Sequence, residues 1–271
     1  MPYLKLAKLN AIGKAEAKNK DLEAIAIVKS EQKEKNKLHN SFLYLDRSDK
    51  SGTTHVNLPL DCYFELIPTP VPKKRQIWYI CGPSGVGKSY LAVQIAKNYQ
   101  KLYNDRKIFL VSKLEHDDTI DQIEGIIKLD HKDWVENPPD INKLKNSLII
   151  FDDIDSIGGA EGKALDTFVD DIATMGRSHT ENQGGISMIY ISHAITSYKK
   201  TRILLLESHF KILFPMATNP HSLYYIMSKY IGLKRDEIAK LKKIGGRFVA
   251  INCWYPNYMI SKYSAKLLHQ D

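Results

Sequence analysis

Residues 77–90, Ile77-Trp78-Tyr79-Ile80-Cys81-Gly82-Pro83-Ser84-Gly85-Val86-Gly87-Lys88-Ser89-Tyr90, decide how this chain folds. The apolar run Ile77–Ile80 is short and leads into a glycine, the mark of a buried strand. Residues 82–89 then fit G-x-x-x-x-G-K-[ST] at every position. Beyond them Leu91, Ile95 and Tyr99 recur at helical spacing, which predicts a helix from Lys88 to about Tyr99. Strand, loop and helix in that order separate a phosphate-binding loop from a glycine-rich turn with an incidental lysine. In such a loop the glycines let successive N–H groups point inward at a phosphate, and the helix adds the positive end of its dipole. The expected nucleotide ligands are therefore Gly82, Pro83, Ser84, Gly85, Val86, Gly87, Lys88, Ser89 and Tyr90. Lys88 reaches the β- and γ-phosphates as a point charge, and the Ser89 hydroxyl is a magnesium ligand.

Working outward, Ile108–Val111, Leu148–Phe151, Met188–Ile191 and Lys211–Phe214 read as further apolar strands. Leu165, Phe168, Val169 and Ile172 define an amphipathic helix among them. Alternation of strands and helices predicts an α/β fold, a P-loop NTPase with a mostly parallel sheet covered by helices on both faces. A helix around Arg235–Ile244, stopped by Gly245-Gly246, and strands at Phe248–Ile251 and Tyr258–Ile260 complete the later part. The run Leu148-Ile149-Ile150-Phe151 ends in Asp152 and Asp153. On a buried parallel strand these emerge at the C-terminal sheet edge, beside the phosphate loop. Asp152 is positioned to hold magnesium and Asp153 to orient the attacking water or act as general base. Guanylate kinases carry a very similar GPSGVGKS string, so the loop alone leaves a nucleoside monophosphate kinase open. The acidic strand end argues against it, and the sequence has no N-K-x-D guanine-reading motif. The expected cofactors are ATP and Mg2+.

The net charge of +8 is distributed unevenly: +5 over residues 1–75, −6 over 76–195 and +9 over 196–271. An acidic middle between basic ends suits a metal- and nucleotide-handling core attached to polyanion-binding surfaces. Cys62, Cys81 and Cys253 form neither a CxxC pair nor a zinc spacing. No stretch has the length of a membrane helix, and no apolar segment follows the N-terminal lysines, so neither a membrane span nor secretion is expected. Residues 14–37 are rich in Lys, Glu, Asn and Gln and read as solvated helix or linker, with short strands at Ala24–Val28 and Phe42–Leu45. Pro68-Thr69-Pro70-Val71-Pro72 and the basic Lys73-Lys74-Arg75 mark a boundary region. The expected division is a basic N-terminal extension over 1–64 and the P-loop domain over 65–271.

Past the acidic strand, Gly176-Arg177-Ser178-His179 precedes Gly185-Ile186-Ser187-Met188-Ile189-Tyr190-Ile191-Ser192-His193. Then come Thr201-Arg202-Ile203-Leu204-Leu205-Leu206-Glu207-Ser208, Phe210–Pro215, Gly246-Arg247-Phe248-Val249-Ala250-Ile251 and Pro256-Asn257-Tyr258. In this order the segments, from about residue 65 to 271, resemble the FtsK/HerA superfamily, and within it the genome-packaging ATPases of large DNA viruses, the poxvirus type included. The resemblance implies a ring of identical subunits that hydrolyses ATP to move double-stranded DNA into a capsid, with a capsid or portal protein as a further partner. It implies a host-cytoplasmic assembly site or the virion as location. It also puts Ser192 or His193 at a γ-phosphate sensor, where relatives often carry Gln. Arg177 matches the arginine that acts across the subunit interface, with Arg202 and Arg247 as competitors. Lys199, Lys200, Arg202, Lys240, Lys242 and Lys243 can grip DNA phosphates. A different class, an ATP-driven switch that loads or anchors a protein without translocating, fits the same core.

Overall fold

Every residue of Ile77–Cys81 is buried, because this strand lies inside a ten-stranded sheet with both faces covered. The computed structural model describes residues 2–8, 22–32, 36–47, 52–69, 74–176, 184–193, 195, 201–241, 244 and 246–268. In chain order the strands are β1 (Tyr3–Lys8), β2 (Leu22–Ser30), β3 (Ser41–Asp46), β4 (His55–Asn57), β5 (Cys62–Leu66), β6 (Ile77–Cys81) and β7 (Ile108–Ser112). They continue as β8 (Ile127–Lys128), β9 (Leu148–Asp152), β10 (Ser187–Ser192), β11 (Phe210–Leu213), β12 (Val249–Asn252), β13 (Tyr258–Ser261) and β14 (Ser264–Leu267). The α-helices are α1 (Lys88–Leu102), α2 (Gly159–Met175), α3 (Arg202–Glu207), α4 (Pro220–Lys229) and α5 (Arg235–Leu241).

The large sheet runs β4-β14-β13-β12-β11-β6-β10-β9-β7-β8. From β11 to β8 all neighbours are parallel, and from β11 to β4 all are antiparallel. The parallel part, with helices on both faces, is the α/β architecture the sequence implies. Strand alternation sorts its side chains into two cores. Trp78, Ile80, Ile150, Ile189 and Ile212 face α1, whereas Ile77, Tyr79, Phe151, Met188 and Leu213 face α2 to α5.

A second sheet, β1-β3-β2-β5, is antiparallel throughout. Its Ala26, Val28, Leu43, Leu45 and Phe64 pack in the same core as α1 and the antiparallel wing residues Ala250, Ile260 and Leu267. Two hydrogen bonds tie its exit to α1: Asn98 Nδ2 donates to the Leu66 carbonyl at 3.0 Å, and the Tyr103 hydroxyl to that of Thr69 at 2.5 Å. The N-terminal residues thus supply one cover of the wing. β4, from within residues 1–64, pairs directly with β14.

Most anticipated elements are present, with ends displaced by one to three residues. The short strand read at Ala24–Val28 is present and longer, as the nine-residue β2, within the stretch 14–37 otherwise read as solvated helix or linker. Ala24, Ile25, Ala26 and Val28 of this strand are buried. α4 was not anticipated, although Asn219-Pro220 signals it: Asn219 Oδ1 accepts from Ser222 N at 2.9 Å, and Pro220 occupies the first turn. Arg75, read as part of a basic boundary, is buried and donates to the last carbonyls of α2, Ile172 at 2.5 Å and Ala173 at 2.6 Å. α5 ends at Leu241, with Ile238 and Leu241 inward as expected. Residues 242, 243 and 245 lie outside the described residues.

Because the small sheet shares its core with the wing, Phe64→Ala should destabilise the whole chain by roughly 3–5 kcal/mol. Thermal denaturation is expected to show one transition moved to lower temperature, and not an early transition of the N-terminal residues alone.

Candidate functional site

Parallel pairing brings the ends of β6, β9 and β10 to one edge of the sheet, since Cys81 pairs with Ser192 and Asp152 with Ile191. The phosphate loop leaves β6 there, and Gly82 N donates to the Ser192 carbonyl at 3.2 Å. Gly87 precedes α1 with φ +100°, a conformation that costs an L side chain strain even though no atom blocks a Cβ. Among the described residues no side chain caps this helix, which leaves its first-turn N–H groups to a ligand. Pro83, Ser84 and Gly85 are exposed, Val86, Gly87 and Ser89 half-buried, and Tyr90 is 69% exposed on the outer side of α1.

Lys88 is buried. Its ammonium donates to the carbonyls of Gly82 and Pro83, each at 3.0 Å, and lies 3.2 Å from His193 Nδ1. The other ring nitrogen of His193, Nε2, is 2.6 Å from Asp153 Oδ1. A ring protonated at Nε2 accepts from Lys88 and donates to Asp153, which joins the loop to the acidic strand through one imidazole. Desolvation lowers the Lys88 pKa, against the opposing pull of Asp153 and Asp152. Asp153 itself has φ +54°, a left-handed conformation that Asp tolerates better than most residues, and this backbone turn ends β9.

Asp152 is 2% exposed. Burial first, then the charges of Asp153 and Asp117, push its pKa up to about 7, with Lys88 opposing them. Asp155, which sequence reading passed over, accepts from the Tyr190 hydroxyl at 2.5 Å and the Ser192 hydroxyl at 2.6 Å. The Ser192 hydroxyl thus bonds Asp155, and His193, just past the end of β10, is the side chain that reaches Lys88. The available signal was a third carboxylate, three residues past the strand's last.

The expected arginines separate. Arg177 lies outside the described residues, as do Lys199, Lys200, Lys242 and Lys243. Arg202 opens α3 and is exposed. Arg247 lines a cleft with Gly85 and Val86 of its own chain. Lys240 is exposed and 3.7 Å from Asp236, a solvated pair of little energetic weight. Among the described residues no group of three or more His, Cys, Asp or Glu side chains is arranged to hold a metal unaided, and no helix is long and apolar enough to cross a membrane.

The buried Asp152 makes apo stability depend on pH. Its folded-state pKa is raised, so between about pH 4 and pH 7 the folded chain keeps a proton that the unfolded chain releases, and stability falls as pH rises through that window. Asp152→Asn should raise the stability of the nucleotide-free protein by roughly 2–4 kcal/mol at pH 8. The gain should shrink towards pH 5, as thermal melts at the two pH values can measure.

Residues 78–215 match the family model for the ATPase family associated with various cellular activities (AAA). Protein V3 of the Sputnik virophage is 31% identical over 230 residues, which cover 83% of this chain and 89% of V3. Among solved structures, the genome packaging NTPase B204 from Sulfolobus turreted icosahedral virus 2, in complex with ATP-gammaS, gives a TM-score of 0.42 at 16% identity over 66% of this chain and 92% of that chain. The pCW3 conjugation coupling protein TcpA gives 0.44 at 11% identity, over 85% and 75%. The family match spans just over half of the sequence and contains the phosphate loop, the acidic pair and His193, so the chain belongs to the ATPase family associated with various cellular activities.

Proposed function

We propose that this ATPase works as a motor that translocates double-stranded DNA and packages a viral genome. The observation that carries the hydrolytic part is the bonded series Lys88–His193–Asp153, which spans the phosphate loop and the two neighbouring strand ends. Support for the DNA part is the order of segments from Gly176 to Tyr258, the basic ends of the chain, and a relative encoded by a virophage.

A magnesium ion fits the donors present. Asp152 is a buried carboxylate crowded by Asp153 and Asp117, which a cation would relieve, and Ser89 offers a hydroxyl from the first turn of α1. One carboxylate, one hydroxyl, phosphate oxygens and water make the hard oxygen set that magnesium takes. When bound, the ion neutralises charge on the phosphate oxygens of ATP. Lys88, already desolvated and braced by two carbonyls, turns its charge to the β- and γ-phosphates. Asp153 accepts from the attacking water, and its αL turn aims the carboxylate out of the strand. His193 touches both Lys88 and Asp153, so loss of the γ-phosphate changes its two contacts together. That makes it the sensor in this reading.

A ring of identical subunits would give Arg177 or Arg202 a neighbour's phosphates to stabilise, whereas Arg247 stands beside its own loop. The motor would act at the site of virus assembly in host cytoplasm or on the virion, with a capsid or portal protein as its base.

Long duplex DNA should stimulate ATP hydrolysis, with binding that weakens steeply as salt rises. Lys88→Ala and Asp153→Asn should each lower turnover by roughly two orders of magnitude or more, Asp153→Asn without loss of ATP binding. If duplex DNA neither binds at low salt nor raises the rate, the motor reading fails and a protein-loading switch replaces it.

A further inference from the structure

The turn after β9 is joined to β10 at two levels. At the outer level the Asp153 carboxylate meets the His193 ring, with 2.6 Å between Oδ1 and Nε2. At the inner level Asp155 accepts from the Tyr190 hydroxyl at 2.5 Å and from the Ser192 hydroxyl at 2.6 Å. Tyr190 and Ser192 are two residues apart on one strand, so their side chains leave the same face and converge on a single carboxylate. Both are buried, and Asp155 is half-buried. A short 3₁₀ turn, Ile154–Ser156, makes one unit of Asp153 and Asp155. In it Ile157 N donates to the Ile154 carbonyl at 3.0 Å, the Ser156 hydroxyl donates to that of Asp153 at 3.1 Å, and the Ile154 side chain is buried. The same end of β10 meets the phosphate loop, because the Ser192 carbonyl takes the Gly82 N–H.

The outer link is the one that ATP disturbs. An ammonium has three N–H donors, and those of Lys88 face the carbonyls of Gly82 and Pro83 and the ring nitrogen Nδ1 of His193. Contact with a phosphate oxygen must displace one of these partners, and the imidazole contact, at 3.2 Å, is the longest of the three. His193 then loses the support on one nitrogen and keeps Asp153 on the other. The inner link involves none of these groups. We infer that Asp155 is a positioning residue for hydrolysis. Through Tyr190 and Ser192 it locks the turn that carries Asp153 to the strand end that carries His193, and so preserves their alignment when Lys88 turns to the phosphates. Hydrogen bonds to an ionised carboxylate are shorter and stronger than neutral ones. A carboxylate also suits this task better than an amide, because each of its oxygens accepts from one hydroxyl. The inference rests on Asp153 as the group that accepts from the attacking water.

The test is a double-mutant cycle on basal ATP hydrolysis, without DNA, with Tyr190→Phe, His193→Ala and the pair together in the full chain. Tyr190→Phe deletes one hydroxyl and keeps the ring. It is preferred to Ser192→Ala because Ser192 also bonds the Tyr79 side chain. Tyr190→Phe should lower kcat roughly 10-fold and change the KM for ATP by less than about 2-fold. With His193→Ala already present, the same change should lower kcat by less than about 2-fold, because the alignment it protects is gone. Asp155→Asn should follow the same pattern, and it carries the cycle if Tyr190→Phe fails to fold. An unchanged kcat would overturn the inference, as would a raised KM at constant kcat. So would an equal loss of kcat with and without His193, the mark of a bond that serves stability alone. If Asp153→Asn instead hydrolyses ATP at the wild-type rate, the role given to Asp153 fails first, and that outcome is separate from any result of the cycle.

Discussion

The placement of β10 between β6 and β9 governs the rest of the molecule. One strand register puts the loop after Cys81, the carboxylates after Phe151 and the imidazole after Ser192 on the same sheet edge. The cross-link from Lys88 through His193 to Asp153 follows from that register. A one-residue slip would turn the side chains of a strand to the opposite face and undo both cores at once. The strands that lead into each chemical group are buried along their whole length, so the geometry of the site is fixed by packing and not by the loops alone.

The acidic cluster contains two contrasting carboxylates. Asp155 is matched by two hydroxyl donors from β10, which fixes the strand end against the turn after β9. Asp152 is deeper and has its proton affinity raised by burial and by neighbours of the same sign. A buried carboxylate of that kind costs stability in the isolated chain. Hydroxyl partners make one acid structural, and their replacement by like charges leaves the other ready for a cation.

Much of the parallel half was legible because its signals are local. GPSGVGKS, the apolar run before Asp152 and the helical spacing of Leu165, Phe168 and Ile172 each declare themselves within a few residues. What escaped depends on distant partners. The full length of β2 shows only when β3 and β5 are set beside it, because the sequence marks just its middle, Ala24–Val28. The role of Asp155 appears only when residues 190 and 192 arrive from another strand. A cleft beside the first turns of α1 gathers Tyr63, Tyr90, Phe248 and Tyr263, and no window of sequence contains such a set. Asn219-Pro220 was a local signal and could have announced α4 without help.

The ten-stranded sheet finishes at each end with a very short strand, three residues in β4 and two in β8. A sheet edge offers unpaired backbone groups to any other chain, and brevity is one way to blunt that template. Here the wing's edge is closed by a piece of the N-terminal segment, so the same residues that cover the core also deny strand addition along β14. Copies of this protein that crowd together are thereby steered towards contacts made by side chains, which can be broken and remade, and away from a continuous intermolecular sheet.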